Sequence, residues 1–359
     1  MGMEHLSCSA LRPRTHLGLK EIKVRKETEE EEEPLSPVAR MFHEPQSNIY
    51  VILIVGFKSP IDPHNFKANL VETFVKHPRF SSVQVSKFHI NLCFTFVLKT
   101  NQIHQVADGG EMKWVKTKVD INNHVIVPMV DQDQYHMDMA ASDKFVEDYV
   151  ANLTKTQISM SIPMWDCHVL NLQTSDAEST LVFRVHHSLG DGTSLMSLLI
   201  SCSDELPSFP EMKKPRSAGT GRFSIWLGRC WNLKDAKATM DRKKATLEAQ
   251  FRLFIAKVFV KFHPTKLAAF PSTTMWFSNV AGPQHQISIF GNPVAFLAAS
   301  VYGQPASLTV HILSYSKKIN VALSVDDNTT LNPYELCDDI EEALQLMKNT
   351  IINVKGWIK

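Results

Sequence analysis

The sequence predicts an α/β protein in which mixed sheets are covered by helices, and three observations lead there. Apolar runs of strand length alternate along the chain with segments of helical periodicity, an order that fits neither an all-α nor an all-β class. The composition, 44% hydrophobic and 21% charged, is that of an ordinary globular protein. A length of 359 residues exceeds what one core usually supports, so two domains are expected. No internal repeat is visible.

Taken in order, the elements begin after an acidic run, Glu27 to Glu33, interrupted only by Thr28. That run is read as a solvated, disordered tail ending at Pro34. Ile49 to Phe57 is a short apolar strand. Asp62 with Pro63 makes a helix start, followed by Phe66, Leu70 and Phe74 at i+4 spacing until His77-Pro78 stops it. Val83 to Leu98 and Trp114 to Val130 read as strands or hairpins. Ser142 is read as opening a helix with Phe145, Val146, Tyr149, Val150 and Leu153 inward. Trp165 to Leu172 and Thr180 to Val185 are strands by their branched and aromatic content. Leu195, Leu198, Leu199 and Cys202 then share one helical face. Phe251, Phe254, Ile255, Val258, Phe259 and Phe262 share another, flanked by Arg252, Lys257 and Lys261; this face is either core or a peripheral membrane contact. Leu297 to Tyr302, Ser307 to Ser314 and Ile319 to Val325 are three further strands, and Asn332 to Lys348 is a closing helix.

Several function classes are excluded by what the chain does not encode. The formal net charge is +1, with no basic stripe carrying interleaved aromatics, so nucleic acid is not an expected partner. Six cysteines, at 8, 93, 167, 202, 230 and 337, lack paired spacing, as in a reducing compartment, and free thiols are expected. The N-terminus shows no signal-peptide apolar run, and Leu6 stands where a myristoylation signal wants Ser or Thr. No stretch reaches the roughly 18 apolar residues of a membrane span.

The run His186-His187-Ser188-Leu189-Gly190-Asp191-Gly192 carries the functional inference. It hangs a paired histidine and an Asp-Gly from the end of the Thr180 to Val185 strand. Alternation puts Leu181, Phe183, Val185 and His187 on one face and Val182, Arg184 and His186 on the other, if the strand runs unbroken through the pair. His187 then continues the apolar face. An imidazole with a free pKa of about 6.5 is mostly neutral near pH 7 and suits general base work on a hydroxyl. Asp191 either caps the following helix or holds a nearby cation, with Arg184 and His186 as candidate partners. Gly190 and Gly192 let a substrate approach the backbone. No cysteine or histidine spacing completes a zinc shell, and there is no Gly-x-Ser-x-Gly elbow for a serine hydrolase.

His-His-x-x-x-Asp-Gly is also the signature of CoA-dependent acyltransferases with the chloramphenicol acetyltransferase-like fold. Further stretches narrow the match: Pro34-Leu35-Ser36-Pro37-Val38-Ala39-Arg40-Met41-Phe42, Asn123-His124-Val125-Ile126-Val127-Pro128, and Pro163-Met164-Trp165. So do Thr274 through Pro283, Val301-Tyr302-Gly303 and Ser314-Tyr315. In this order, from Pro34 to Asn349, the chain resembles the plant wax ester synthase/acyl-CoA:diacylglycerol acyltransferase family. The resemblance implies a two-domain fold with an acyltransferase domain at 34–214, a linker at 215–246 and a C-terminal domain at 247–359. Family members are usually longer, and the shortfall falls between Pro215 and Leu247, where an Asn-Asp motif and an apolar segment are missing. The C-terminal domain is therefore expected to be incomplete.

What the resemblance implies chemically is transfer of a fatty acyl group from acyl-CoA to a long-chain alcohol or diacylglycerol, with no cofactor beyond that co-substrate. His187 is the base, with His186 and Asp191 in the site and Asp191 orienting the loop beside Gly192. Ser278 and Asn279 are candidates for stabilising the oxyanion, or else form a turn before Gly282-Pro283. Pro163 and Trp165 shape the acyl pocket or pack the core. Family members act at the endoplasmic reticulum or the plasma membrane, which implies peripheral contact from the cytosolic face. Two alternatives stand beside this: a plant transferase acylating phenolic or alkaloid alcohols, whose Asp-Phe-Gly-Trp-Gly signature is absent, and a non-catalytic lipid-binding form.

Overall fold

The computed structural model describes residues 33–43, 47–86, 112–129, 138–204, 238, 241–242, 274–304 and 306–356, all within one compact unit, Glu32–Lys359. Most of the acidic run, the chain after Ser86 in the second predicted strand, nearly all of the linker and the Phe251 to Phe262 face lie outside the described residues.

In chain order the elements are β1 (Glu33–Pro34), α1 (Pro37–Met41), β2 (Tyr50–Phe57), α2 (Pro63–Glu72), β3 (Ser82–Ser86), β4 (Met112–Lys116) and β5 (Val125–Ile126). Then follow α3 (Met139–Leu153), β6 (Trp165–Leu170), β7 (Ser179–His186) and α4 (Gly192–Ser201). The last third supplies β8 (Met275–Ala281), β9 (Ser288–Ile289), β10 (Asn292–Tyr302), β11 (Leu308–Tyr315), β12 (Lys318–Val325) and α5 (Pro333–Gly356). A six-stranded mixed sheet, β5-β6-β7-β2-β10-β9, forms the centre, flanked by the three-stranded sheets β1-β4-β3 and β12-β11-β8. The mixed α/β class expected from the sequence is therefore the one observed.

Local chemistry explains most element boundaries. Asp62 caps α2 by accepting the His64 amide at 3.0 Å, with a proline in the first turn. The helix ends before Phe74, which sits in a separate 3-10 turn. Helix α3 starts three residues before Ser142, because Asp138 provides the cap, accepting from the Ala141 amide at 2.7 Å. The Trp114 to Val130 stretch, read as strands or a hairpin, divides between two sheets: its start belongs to β4, Asp120 caps a 3-10 turn, Ile121–Asn123, and Val125–Ile126 joins the six-stranded sheet. Helix α5 runs to Gly356, beyond the predicted end at Lys348.

Strands β6 and β7 are buried along their whole lengths, so both sheet faces are covered. One face carries Leu181, Phe183 and Val185 into a core shared with Phe66, Leu70 and Phe74. The other carries Val182, with Ile52 and Leu170, under Val146, Tyr149, Val150 and Leu153 of α3. Strand β10 lies antiparallel beside β2, with Tyr302 opposite Tyr50. This strand from the C-terminal third thus completes the sheet that carries the histidine motif. A bulge between Val294 and Phe296 lets the Phe296 ring lie over Gly56, where a Cβ would come within 2.2 Å of it.

Candidate active site

The strand ends at the first histidine. His186 is the last residue of β7, opposite Tyr50 of β2, and a turn follows in which the Leu189 amide donates to the His186 carbonyl at 3.0 Å. Arg79 holds the turn from outside, donating to the Leu189 carbonyl at 3.2 Å. The expectation of a strand unbroken through the pair is therefore corrected: His187 lies in the turn, anchored by its amide to the Ile49 carbonyl at 2.8 Å. The two imidazoles still meet different surroundings, but a chain reversal separates them rather than strand alternation.

His186 is fully buried. Its Nε2 lies 3.0 Å from the Phe42 carbonyl and 3.1 Å from Asn48 Oδ1, and its Nδ1 lies 2.6 Å from Ser188 Oγ. Burial pushes its pKa down to about 2, helped by His43 and His187 and opposed by the Phe42 carbonyl. His43 tilts against it with ring centroids 4.6 Å apart and is itself lowered to about 4 by burial. Burial thus favours the neutral form of His186, and both ring nitrogens are engaged.

His187 is half-buried, and its ring stacks on Phe42 with centroids 4.3 Å apart and planes 22° apart. Its Nδ1 is buried with no regular hydrogen-bond partner among the described residues. Burial lowers its pKa, while its own main chain and the nearby Asp191 charge oppose the shift. The imidazole is accordingly neutral near pH 7 and free to accept a proton.

Asp191 caps α4, accepting from the Ser194 amide at 2.8 Å and the Thr193 hydroxyl at 3.0 Å. These bonds hold its carboxyl below the usual range. The alternative cation partners are corrected: His186 is engaged elsewhere, and Arg184 is paired with Asp166, its Nε 3.0 Å from Oδ1 and its Nη2 on Oδ2. Arg184 also donates to Leu153 and Thr156 at the end of α3, and Asp166 is lowered by His168 as well as Arg184. This buried network ties α3 to the sheet one turn of chain before the histidines.

The remaining predicted residues divide. Gly192 opens α4 beside β8, where a methyl in its place would lie 3.9 Å from Val280. Ser278 and Asn279 sit in β8 rather than in a turn; Ser278 is half-buried on the same side of the strand as Val280, and Asn279 is exposed. Neither forms a side-chain hydrogen bond to a described residue. Trp165 is fully buried, donates from Nε1 to the Phe80 carbonyl at 2.9 Å and stacks on His124 at 4.2 Å. Pro163 is buried beside it, its carbonyl accepting the Trp165 amide at 2.8 Å. A small apolar cavity of about 20 Å³ lies instead between Val55, Phe66, Leu70, Phe183, Leu199 and Cys202. Among the described residues no group of three His, Cys, Asp or Glu side chains is placed to hold a metal ion.

The sequence reading missed Phe42, His43, Asn48, Ser188 and Gln84 as parts of the site. Phe42 closes the Pro34 to Phe42 stretch and His43 follows it, so those two carried a signal; Gln84 carried none.

Comparison with known proteins gives the family. Residues 49–251 match the family model for the wax ester synthase/diacylglycerol acyltransferase catalytic domain, and residues 231–348 match the WS/DGAT C-terminal domain. Wax ester synthase/diacylglycerol acyltransferase 5 of Arabidopsis thaliana is 28% identical, covering 91% of this chain and 96% of that protein. Enzyme 6 of the same plant is 28% identical over 94% of this chain and 98% of its own. The alignment to enzyme 5 runs over 503 positions, more than the 359 residues present here, so that relative carries internal positions this chain lacks. A solved structure, the wax ester synthase/diacylglycerol acyltransferase from Marinobacter aquaeolei VT8, shares the fold with a TM-score of 0.55 at 13% identity, covering 87% of this chain and 98% of that one. The chain belongs to the wax ester synthase/diacylglycerol acyltransferase family of acyltransferases.

Proposed function

We propose that this protein transfers a fatty acyl group from acyl-CoA to the hydroxyl of a long-chain alcohol, of diacylglycerol, or of both, with His187 as general base. The observation that carries this reading is the pairing of opposite fates at the motif: His186 is locked and neutral, while His187 is half-buried, neutral and bonded by its ring to no other described residue. With Nδ1 facing inward, Nε2 is the nitrogen left to meet a substrate. It takes the hydroxyl proton as the oxygen attacks the thioester carbonyl. Collapse of the tetrahedral intermediate breaks the carbon–sulfur bond, and the CoA thiolate recovers the proton from His187. No acyl-enzyme is required. Ser278 is the better of the two oxyanion candidates, because it shares the face of β8 on which Val280 meets Gly192. Asp191 sets the loop through its cap and favours the protonated His187 by its charge.

Peripheral contact with the cytosolic face of the endoplasmic reticulum or plasma membrane belongs to the same reading; no helix among the described residues is long and apolar enough to cross a membrane. The competing reading, a non-catalytic lipid-binding form, is favoured by the exposure of Met275, Trp276 and Phe277 on β8.

The test is acyl transfer from radiolabelled palmitoyl-CoA to a long-chain alcohol and, separately, to diacylglycerol, with wild type beside His187→Ala. We expect wild type to form product, His187→Ala to lose about 10²- to 10⁴-fold in rate, and the acid limb of kcat/KM to lie below the ordinary imidazole pKa. Folded wild type that binds acyl-CoA without turnover would establish the competing reading.

A further inference from the structure

We infer that the first histidine of the pair is a positioning wedge of fixed tautomer, set by Gln84 through Ser188, whose task is to hold Phe42 against the ring of His187. The inference rests on His187 being the base, but its structural half stands on bond directions alone.

Those directions follow from one group that cannot donate. The Phe42 carbonyl, 3.0 Å from His186 Nε2, only accepts, so Nε2 carries the hydrogen. Asn48 Oδ1, at 3.1 Å, accepts from the same N–H. A neutral imidazole then has a bare Nδ1, and two donors converge on it: the Ser188 hydroxyl at 2.6 Å and the Ser188 amide at 3.4 Å. A hydroxyl has one hydrogen, so Ser188 Oγ must accept from its other neighbour. That neighbour is Gln84 Nε2 at 2.7 Å, on β3, 104 residues away in sequence. The relay therefore runs in one direction from Gln84 to Ser188 to His186 to Phe42.

Its output is the position of the Phe42 main chain, 144 residues before His186. The ring of that residue lies 4.3 Å from the ring of His187. Gln84, Ser188 and His186 are all buried, and no water is needed to complete the chain of bonds. Reversing any bond would point two acceptors at each other among buried side chains, where an unpaired polar group is costly. Gln84 leaves its Oε1 buried without a partner among the described residues, so its amide nitrogen is the atom that joins the relay.

Three variants and one spectroscopic measurement test this on the full chain. Nitrogen NMR of ¹⁵N-histidine-labelled wild type reads the His186 tautomer without reference to activity: we expect Nε2–H, and Nδ1–H would overturn the relay. Gln84→Leu is expected to lower kcat by about 10- to 100-fold with little change in KM, since misplacing a reacting group by an ångström costs on that order. Gln84→Glu can donate only while its carboxyl is protonated, so its kcat is expected to fall as pH rises through a range where wild type is flat. A pH-independent Gln84→Glu, or unaltered kcat in Gln84→Leu, would refute the positioning role. Full activity in His187→Ala would instead remove the base assignment and leave the tautomer result standing.

Discussion

Strands β7 and β8 both carry stretches that resemble the same family, yet they reach the site in opposite conditions. Every residue of β7 is buried, between β6 on one side and β2 on the other. Strand β8, among the described residues, pairs only with β11, and Met275, Trp276 and Phe277 are 52%, 47% and 59% exposed. The difference separates two kinds of contribution. β7 delivers His186 and His187 from a doubly covered strand with its polar groups bonded across the sheet, so the motif's geometry is over-determined. β8 brings Val280 to Gly192 from a sheet edge, so its position rests on fewer neighbours. The cost of a shortened chain should therefore appear on the β8 side first, while the histidine turn stays in place.

The largest effect that would break this contrast lies on β7. Arg184→Met leaves Asp166 buried with His168 as its nearest remaining partner, and we expect roughly 3 to 5 kcal/mol of lost stability in urea unfolding. A loss near zero would mean that β7 is no better held than β8.

Acid is expected to act on the same end of the molecule. His43 and His186 have folded pKa values near 4 and 2, below the ordinary 6.5. The unfolded chain therefore takes up protons first as pH falls, and stability present above about pH 6.5 is lost progressively below it. Between pH 7 and 5 each histidine should cost roughly 2 kcal/mol. Unfolding midpoints measured across that range in wild type and His43→Phe should differ in slope; parallel curves would show that His43 is open to solvent.

The smallest effect sharpens the β8 side. Trp276→Ser, at an exposed edge position, should change stability by no more than about 0.5 kcal/mol. Trp165→Ala, in the core, should cost about 3 to 5 kcal/mol by the same measurement. If the two tryptophans cost alike, β8 is covered and the contrast fails.

Much of the fold was legible wherever the cause was local. Asp62-Pro63 announced α2, the branched and aromatic runs announced β6, β7, β11 and β12, and Asp191 before a spaced apolar face announced α4 and its cap. Strand β8 was not foreseen as a strand, because Gly282-Pro283 signals a turn and the parallel partner lies about thirty residues on, in β11. Arg184, one of two candidate partners for Asp191 in the sequence, pairs elsewhere for a related reason. Asp191 is near in sequence, whereas Asp166 is near only through the β6–β7 register, where it stands directly opposite.

By itself the sequence determined the α/β class, the strand that carries the histidine motif, the capped helix after it and the chemistry that a neutral imidazole invites. Those follow from periodicity, caps and side-chain acidity, which act over a few residues. Tertiary structure alone decided which histidine is locked and which is free, because the Phe42 carbonyl, Asn48 and Gln84 come from segments more than a hundred residues away. It also decided that β10 closes the sheet beside β2. A buried polar atom must find a partner, but which partner it finds depends on how distant strands pack, and no spacing along the chain records that.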